Sequence, residues 1–115
     1  MTTMQEFKAA QLLGLLEKVL SVDPVLAVNT LAVFLYVAKN NECAAADIVR
    51  ELKLAQPAVA RHLQRLGRGS PGASKAVGPG LDLITYVDDA KDARRRLYSL
   101  NQRGRALLDQ LGIAL

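Results

Sequence analysis

Two groups of side chains in this sequence have the chemistry to recognise a polyanion. The first is Gln56, Arg61, His62 and Arg65. Arg presents a planar fork of N–H donors, and Gln presents one acceptor beside two donors. Both can therefore make paired hydrogen bonds to base edges, Arg to guanine and Gln to adenine. Ala58, with Ala55 and Ala60, keeps this segment slim enough to approach a groove closely or touch a thymine methyl. The second group is Arg94, Arg95 and Arg96, three consecutive guanidinium groups suited to phosphate oxygens or to the negative potential of a minor groove. Asp92 is near enough in sequence to orient one of them, Arg94 first.

The charge follows the same division. The 115 residues carry a net +4. Residues 1–49 hold three Lys or Arg against five acids, whereas residues 50–105 hold twelve against five. Basic charge is concentrated in the half that contains both groups, as expected of a face that meets a polyanion. A merely solvated surface is the alternative reading.

Other chemistry finds less support. Cys43 is the single cysteine, which excludes an intramolecular disulfide or a multi-cysteine zinc site and points to a reducing, cytoplasmic setting. No basic neighbour lowers its thiol pKa, so it reads as inert. His62 is the single histidine and has no partnered cysteine for a metal site, and Asp88, Asp89 and Asp92 read as turn formers. Tyr86 and Tyr98 read as cross-strand packing partners. The Gly-, Pro- and Ser-rich stretch 67–80 lacks the Gly-Lys-Ser/Thr ending of a phosphate-binding loop. No Ser/His/Asp or Cys/His pairing is signalled, so no enzyme, metal or cofactor is expected. The first residues do not read as a signal peptide. The longest apolar run, Thr30 to Ala38, is too short to span a bilayer, so no membrane partner is expected.

The elements that must position these residues follow from periodicity. Residues 4–20 predict a helix with a wide apolar face (Phe7, Leu12, Leu13, Leu15, Leu16, Val19, Leu20), suited to a partner subunit or a docked core position. Asp23-Pro24 reads as the start of a second helix, about 25–39, ended by Asn40-Asn41. Residues 45–54 form a third, burying Ile48, Val49, Leu52 and Leu54. Its expected caps, Ala45 and Ala46, lack an acceptor. Gln56-Pro57 opens a fourth helix to about 66–68, with Val59, Leu63 and Leu66 in one buried stripe. After the 67–80 loop, a strand over 81–87, a polar turn over 88–92 and a strand over 95–100 make a hairpin. Asn101 caps a last helix, 102–112, that buries Ala106, Leu107, Leu108 and Leu111. With no Trp and 4% aromatic residues, the core must be built from Leu, Val, Ala and Ile.

The expected fold is therefore mostly α (α+β): a winged helix-turn-helix with a two-stranded hairpin wing and flanking N- and C-terminal helices. One domain is expected, divided into residues 1–24 (an N-terminal helix suited to dimerisation), 25–100 (helix-turn-helix and wing) and 101–115.

Two segments resemble the MarR family of winged-helix regulators. Asp47 to Leu66, with Leu54-Ala55-Gln56-Pro57 as its turn, is similar to that family's helix-turn-helix. Asp92-Ala93-Arg94, followed by Leu100-Asn101-Gln102-Arg103-Gly104, is similar to its wing signature of Asp-x-Arg and then Leu-Thr-x-x-Gly. Together they cover residues 45–112. The resemblance implies a dimeric regulator of pseudo-palindromic DNA, with Gln56, Arg61, His62 and Arg65 on the reading helix and Asp92 and Arg94 at the wing. Ala55 replaces the usual Ser, Asn101 the usual Thr, and the 67–80 loop is longer than the family's link. The chain ends about one helix after the wing, which leaves dimerisation to the 4–20 and 102–112 helices.

The function expected is sequence-specific duplex-DNA binding by a homodimeric transcriptional regulator, a repressor, with any small-molecule effector undefined. The rivals are a winged-helix protein-interaction module and a replication or partition DNA-binding protein.

Overall fold

The computed structural model describes residues 3–68 and 80–111. Its elements, in order, are α1 (Met4–Val22), α2 (Val28–Lys39), α3 (Ala45–Leu52), α4 (Gln56–Leu66), β1 (Ile84–Asp89), β2 (Asp92–Leu100) and α5 (Gln102–Gln110). One apolar cluster joins Val33, Phe34 and Val37 of α2, Ile48 of α3, and Val59, Leu63 and Leu66 of α4. Leu83, Ile84 and Leu100 from the base of the hairpin, and Leu107 and Leu111 beyond it, complete it. The expected α4 stripe is the buried one.

Several boundaries are set by hydrogen bonds that local propensity does not report. Asp23 ends α1 instead of opening α2. Its backbone is extended, its N–H donates to the Val19 carbonyl, and its carboxylate accepts the Val25 N–H at 3.2 Å. The second helix begins only at Val28, after Ala27, which offers no side-chain cap. Likewise α3 starts after Ala44, whose N–H donates to Asp47 Oδ2 at 3.0 Å. An acid reaching back to the first free N–H, rather than a capping side chain ahead of it, specifies that start. Lys53, in the left-handed region at φ 55°, ends α3 two residues before the expected Leu54.

The hairpin differs from expectation at both ends. Residues 81–83 are not in the strand, because their N–H groups donate to the end of α4. Leu81 reaches the Arg65 carbonyl (2.8 Å), Asp82 that of Gly67 (2.8 Å) and Leu83 that of Leu66 (2.7 Å). These bonds satisfy carbonyls that a helix terminus leaves without partners. The turn is shorter than the expected 88–92, since β2 already begins at Asp92 and pairs antiparallel with β1 from Ile84↔Leu100 to Asp89↔Asp92. Arg94, Arg95 and Arg96 therefore lie within β2. Cys43 adds a single-residue bridge to Tyr98 through two backbone hydrogen bonds (3.1 and 2.7 Å).

Asn101 caps α5 as expected, its Oδ1 accepting the Gly104 N–H at 2.9 Å. Its Nδ2 donates to the Asp82 carbonyl, and its backbone N–H to that of Leu83. Gly104, Leu107 and Leu111 are buried, but Ala106 is exposed, contrary to expectation. The expected 102–112 helix is described to Gln110; residue 112 and most of the 67–80 loop (69–79) lie outside the described residues. On α1 only Val19 is buried; Phe7, Leu12, Leu13 and Leu20 are 45–58% exposed. A helix docked within its own core is not what forms.

Gly104 is required by close approach. A Cβ there would stand 2.1 Å from the Leu83 carbonyl oxygen, whereas one at Gly14 would meet nothing within 4 Å. Gly104→Ala should cost about 1–3 kcal/mol, the usual penalty for overpacking. Gly14→Ala should stabilise α1 by up to about 1 kcal/mol. Urea midpoints measure both, and equal effects at the two sites would contradict the close approach.

Candidate nucleic-acid interface

Burying Val59, Leu63 and Leu66 turns the opposite side of α4 outward. At about 100° per residue, that side carries Pro57, Arg61 and Gln64, all exposed, and Arg68 is exposed just past the helix. Gln64 was not among the expected site residues, although its i+3 spacing from Arg61 already puts it on the same face. Gln56 is exposed in the first turn, and Ala58 is half-buried.

His62 and Arg65 face elsewhere. They share the flank that packs against residues 23–30. His62 Nδ1 lies 2.9 Å from Thr30 Oγ1 on α2. Burial holds its imidazole below the ordinary pKa of 6.5, which keeps it neutral at pH 7. Arg65 Nη2 donates to Asp23 Oδ2 at 2.6 Å, with 29% of its side chain exposed. Of the expected reading residues on this helix, His62 and Arg65 are thus engaged by Thr30 and Asp23, whereas Arg61 is exposed.

Along β2 the arginines alternate between faces, as period two requires. Arg94 is the outward one, its side chain 94% exposed. Asp92 Oδ1 accepts its backbone N–H at 3.1 Å and its Nε at 3.4 Å. Arg96 lies on the same face, its guanidinium carbon 4.2 Å from the Tyr86 ring centroid. That ring packs against Tyr98 at 5.7 Å. Arg95 points the other way, toward Asp47 (3.6 Å) and Asp89 (4.0 Å). Between α4 and the wing, Gln64, Arg68, Tyr86 and Arg96 line an open groove of about 780 Å³.

Two carboxylates hold their charge more firmly than usual. The hydrogen bond from Arg65 lowers the Asp23 pKa, and the Ala44 N–H lowers that of Asp47 with help from Arg50. Burial pushes the Cys43 thiol up, so it stays protonated. Among the described residues no group of three or more His, Cys, Asp or Glu could hold a metal ion, and no helix is long and apolar enough to cross a membrane.

Residues 31–68, from α2 to just past α4, match the family model described as bacterial regulatory protein, arsR family. No curated protein matches the chain in sequence. The S. aureus MepR–DNA complex is similar in structure, with a TM-score of 0.70 at 19% identity over 94% of this chain and 77% of that one. MarR aligns at 0.61 and 14% identity, over 96% of this chain and 73% of its own. Bordetella bronchiseptica BpsR, whose DNA binding is regulated by 6-hydroxynicotinic acid, aligns at 0.57 and 20%, over 96% and 71%. The resemblance read in the sequence extends to the fold, a winged helix-turn-helix with flanking helices.

The Asp23–Arg65 pair generates a pH dependence. Because Asp23 is held below its ordinary 3.8, the unfolded chain binds that proton more readily than the folded one. The stabilisation is complete above the unfolded value and lost as pH falls through the lower folded value. Arg65→Gln should cost about 1.5–3 kcal/mol at neutral pH, as for a hydrogen bond to a charged group. The difference in urea midpoint from wild type should shrink once Asp23 is protonated in both. A difference that stays constant down to acid pH would contradict the pairing.

Proposed function

We propose that this chain is a DNA-binding transcriptional regulator, a cytoplasmic repressor that reads duplex DNA as a homodimer. The observation that carries the reading is the outward face of α4, where Arg61 and Gln64 stand opposite the buried stripe, with Arg68 just past the helix, beside a wing that presents Arg94. A helix held this way can enter a major groove while the wing meets the backbone or the adjacent minor groove. Arg61 and Gln64, with Gln56 at the first turn, are the base-reading candidates. Arg94 contacts phosphate or minor groove, Asp92 orients it, and Arg96 lies behind it on Tyr86. Arg95 belongs to the fold through Asp47 and Asp89. The likeness to MepR, described in complex with DNA, supports the same use of this fold here.

The homodimer rests on α1. Its exposed Phe7, Leu12, Leu13 and Leu20 form an apolar surface of the kind that marks protein contacts. Two copies joined there would place half-sites about one helical turn apart, roughly 34–36 Å.

Arg61→Ala and Arg94→Ala should weaken duplex binding in different ways. The α4 change should cost about 1–3 kcal/mol at particular base pairs. The wing change should act alike on all sequences and flatten the salt dependence by about one phosphate contact. Fluorescence anisotropy on a panel of duplexes separates the two, and uniform loss for Arg61→Ala would remove it from base reading. For the dimer, Leu13→Lys should shift sedimentation from dimer to monomer, and unchanged sedimentation would remove that face from the interface.

A further inference from the structure

Asp23 and Thr30 are the only buried polar or charged residues among those described, and one helix engages both. Thr30 meets His62, and Asp23 meets Arg65, both from the same flank of α4. A buried carboxylate is costly to desolvate unless paired, so the place of Asp23 is bound to the reach of Arg65. Asp23 is also the residue at which α1 stops. Its N–H donates to the Val19 carbonyl at 3.1 Å, its own carbonyl accepts the Leu26 N–H at 3.2 Å, and its Oδ1 accepts that of Val25. One residue thus shapes the turn between α1 and α2 and is itself held by α4.

Little else ties α1 down. Val19 is its only buried residue, and Leu15 packs against the core only in part. Both lie in its C-terminal half, so the helix is anchored near one end. Its 19 residues extend roughly 28 Å from that end, so a rotation of about 10° at Asp23 would move the far end by roughly 5 Å.

We infer that Arg65 is a positioning residue: its ion pair with Asp23 sets the angle between α1 and the reading helix α4. The hinge is a property of a single chain. Its consequence for function rests on the reading above, in which α1 joins two copies and α4 meets DNA. The angle would then fix the separation and tilt at which two reading helices are presented, and Arg65 would govern spacing instead of base identity.

The test is an intrachain distance. Spin labels are placed at Glu6→Cys and Gln64→Cys in the full chain on a Cys43→Ala background, and diluted with unlabelled protein so that only intrachain pairs are seen by double electron–electron resonance. The parent should give one narrow distribution. Arg65→Gln should broaden and shift it while circular dichroism shows the helices intact, and Arg65→Lys, which keeps the charge, should restore most of the narrow form. Asp23→Asn provides a second variant and should broaden it in the same way. An unchanged distribution in folded Arg65→Gln, with only the urea midpoint lowered, would overturn the inference by reducing the pair to a stabilising contact. Duplex anisotropy on the unlabelled parent chain, which keeps Gln64, separates the two claims. Broadening in a chain that binds no DNA upholds the hinge and overturns the DNA reading, whereas DNA binding with unchanged distances overturns the hinge alone.

Discussion

Val59, Leu63 and Leu66 occupy one side of the 11-residue α4 and are almost wholly withdrawn from solvent in a cluster with Val33, Phe34, Val37 and Ile48. Full burial of such a side chain is worth about 1.5–3 kcal/mol. All three can be buried together in only one rotational setting of the helix, since a slip of one residue turns every side chain by about 100°. That setting decides the surface chemistry. Arg61 and Gln64 are turned outward, while His62 falls on the flank beside Thr30 and Arg65 reaches Asp23. The candidate interface is in this sense a consequence of core packing.

The wing is attached to the same helix through backbone hydrogen bonds. The last carbonyls of α4 and its C-cap accept from residues 81–83, Asn101 binds back to Asp82 and Leu83, and Gly104 lets the start of α5 approach the Leu83 carbonyl. The base of the hairpin is therefore fixed relative to α4, and the free part is the tip, where Asp92 holds Arg94. The helix α4 and the base of the wing are thus tied together through backbone hydrogen bonds, an arrangement that would suit the proposed engagement of adjacent grooves without large reorganisation.

Much of this was legible because local rules set it. The limits and buried stripe of α4 follow from a 3.6-residue period and Pro57. The Asn101 cap and the Asp92–Arg94 contact span two or three residues. The division of Arg94 and Arg96 from Arg95, and the Tyr86–Tyr98 pair, follow from strand alternation. What was missed depends on distant partners. Asp23 has the local signature of a helix start, but its partner Arg65 lies 42 residues away. Residues 81–83 alternate like a strand, yet their N–H groups are taken by α4. Periodicity marks the apolar face of α1 without saying what covers it. The position of Gln64 follows from its i+3 spacing to Arg61, whereas that of Arg68 depends on how the chain leaves the helix at Gly67.

The central claim is that the basic face of α4 and the wing binds duplex DNA. The most direct measurement is the salt dependence of duplex affinity for the intact chain, by anisotropy with a labelled random duplex and one carrying the region upstream of the chain's own gene. The account predicts tighter binding to the upstream duplex and a loss of affinity by orders of magnitude between about 50 and 200 mM salt, as several phosphate contacts release their counterions. Absence of binding to either duplex at micromolar protein, or binding indifferent to salt, would contradict it.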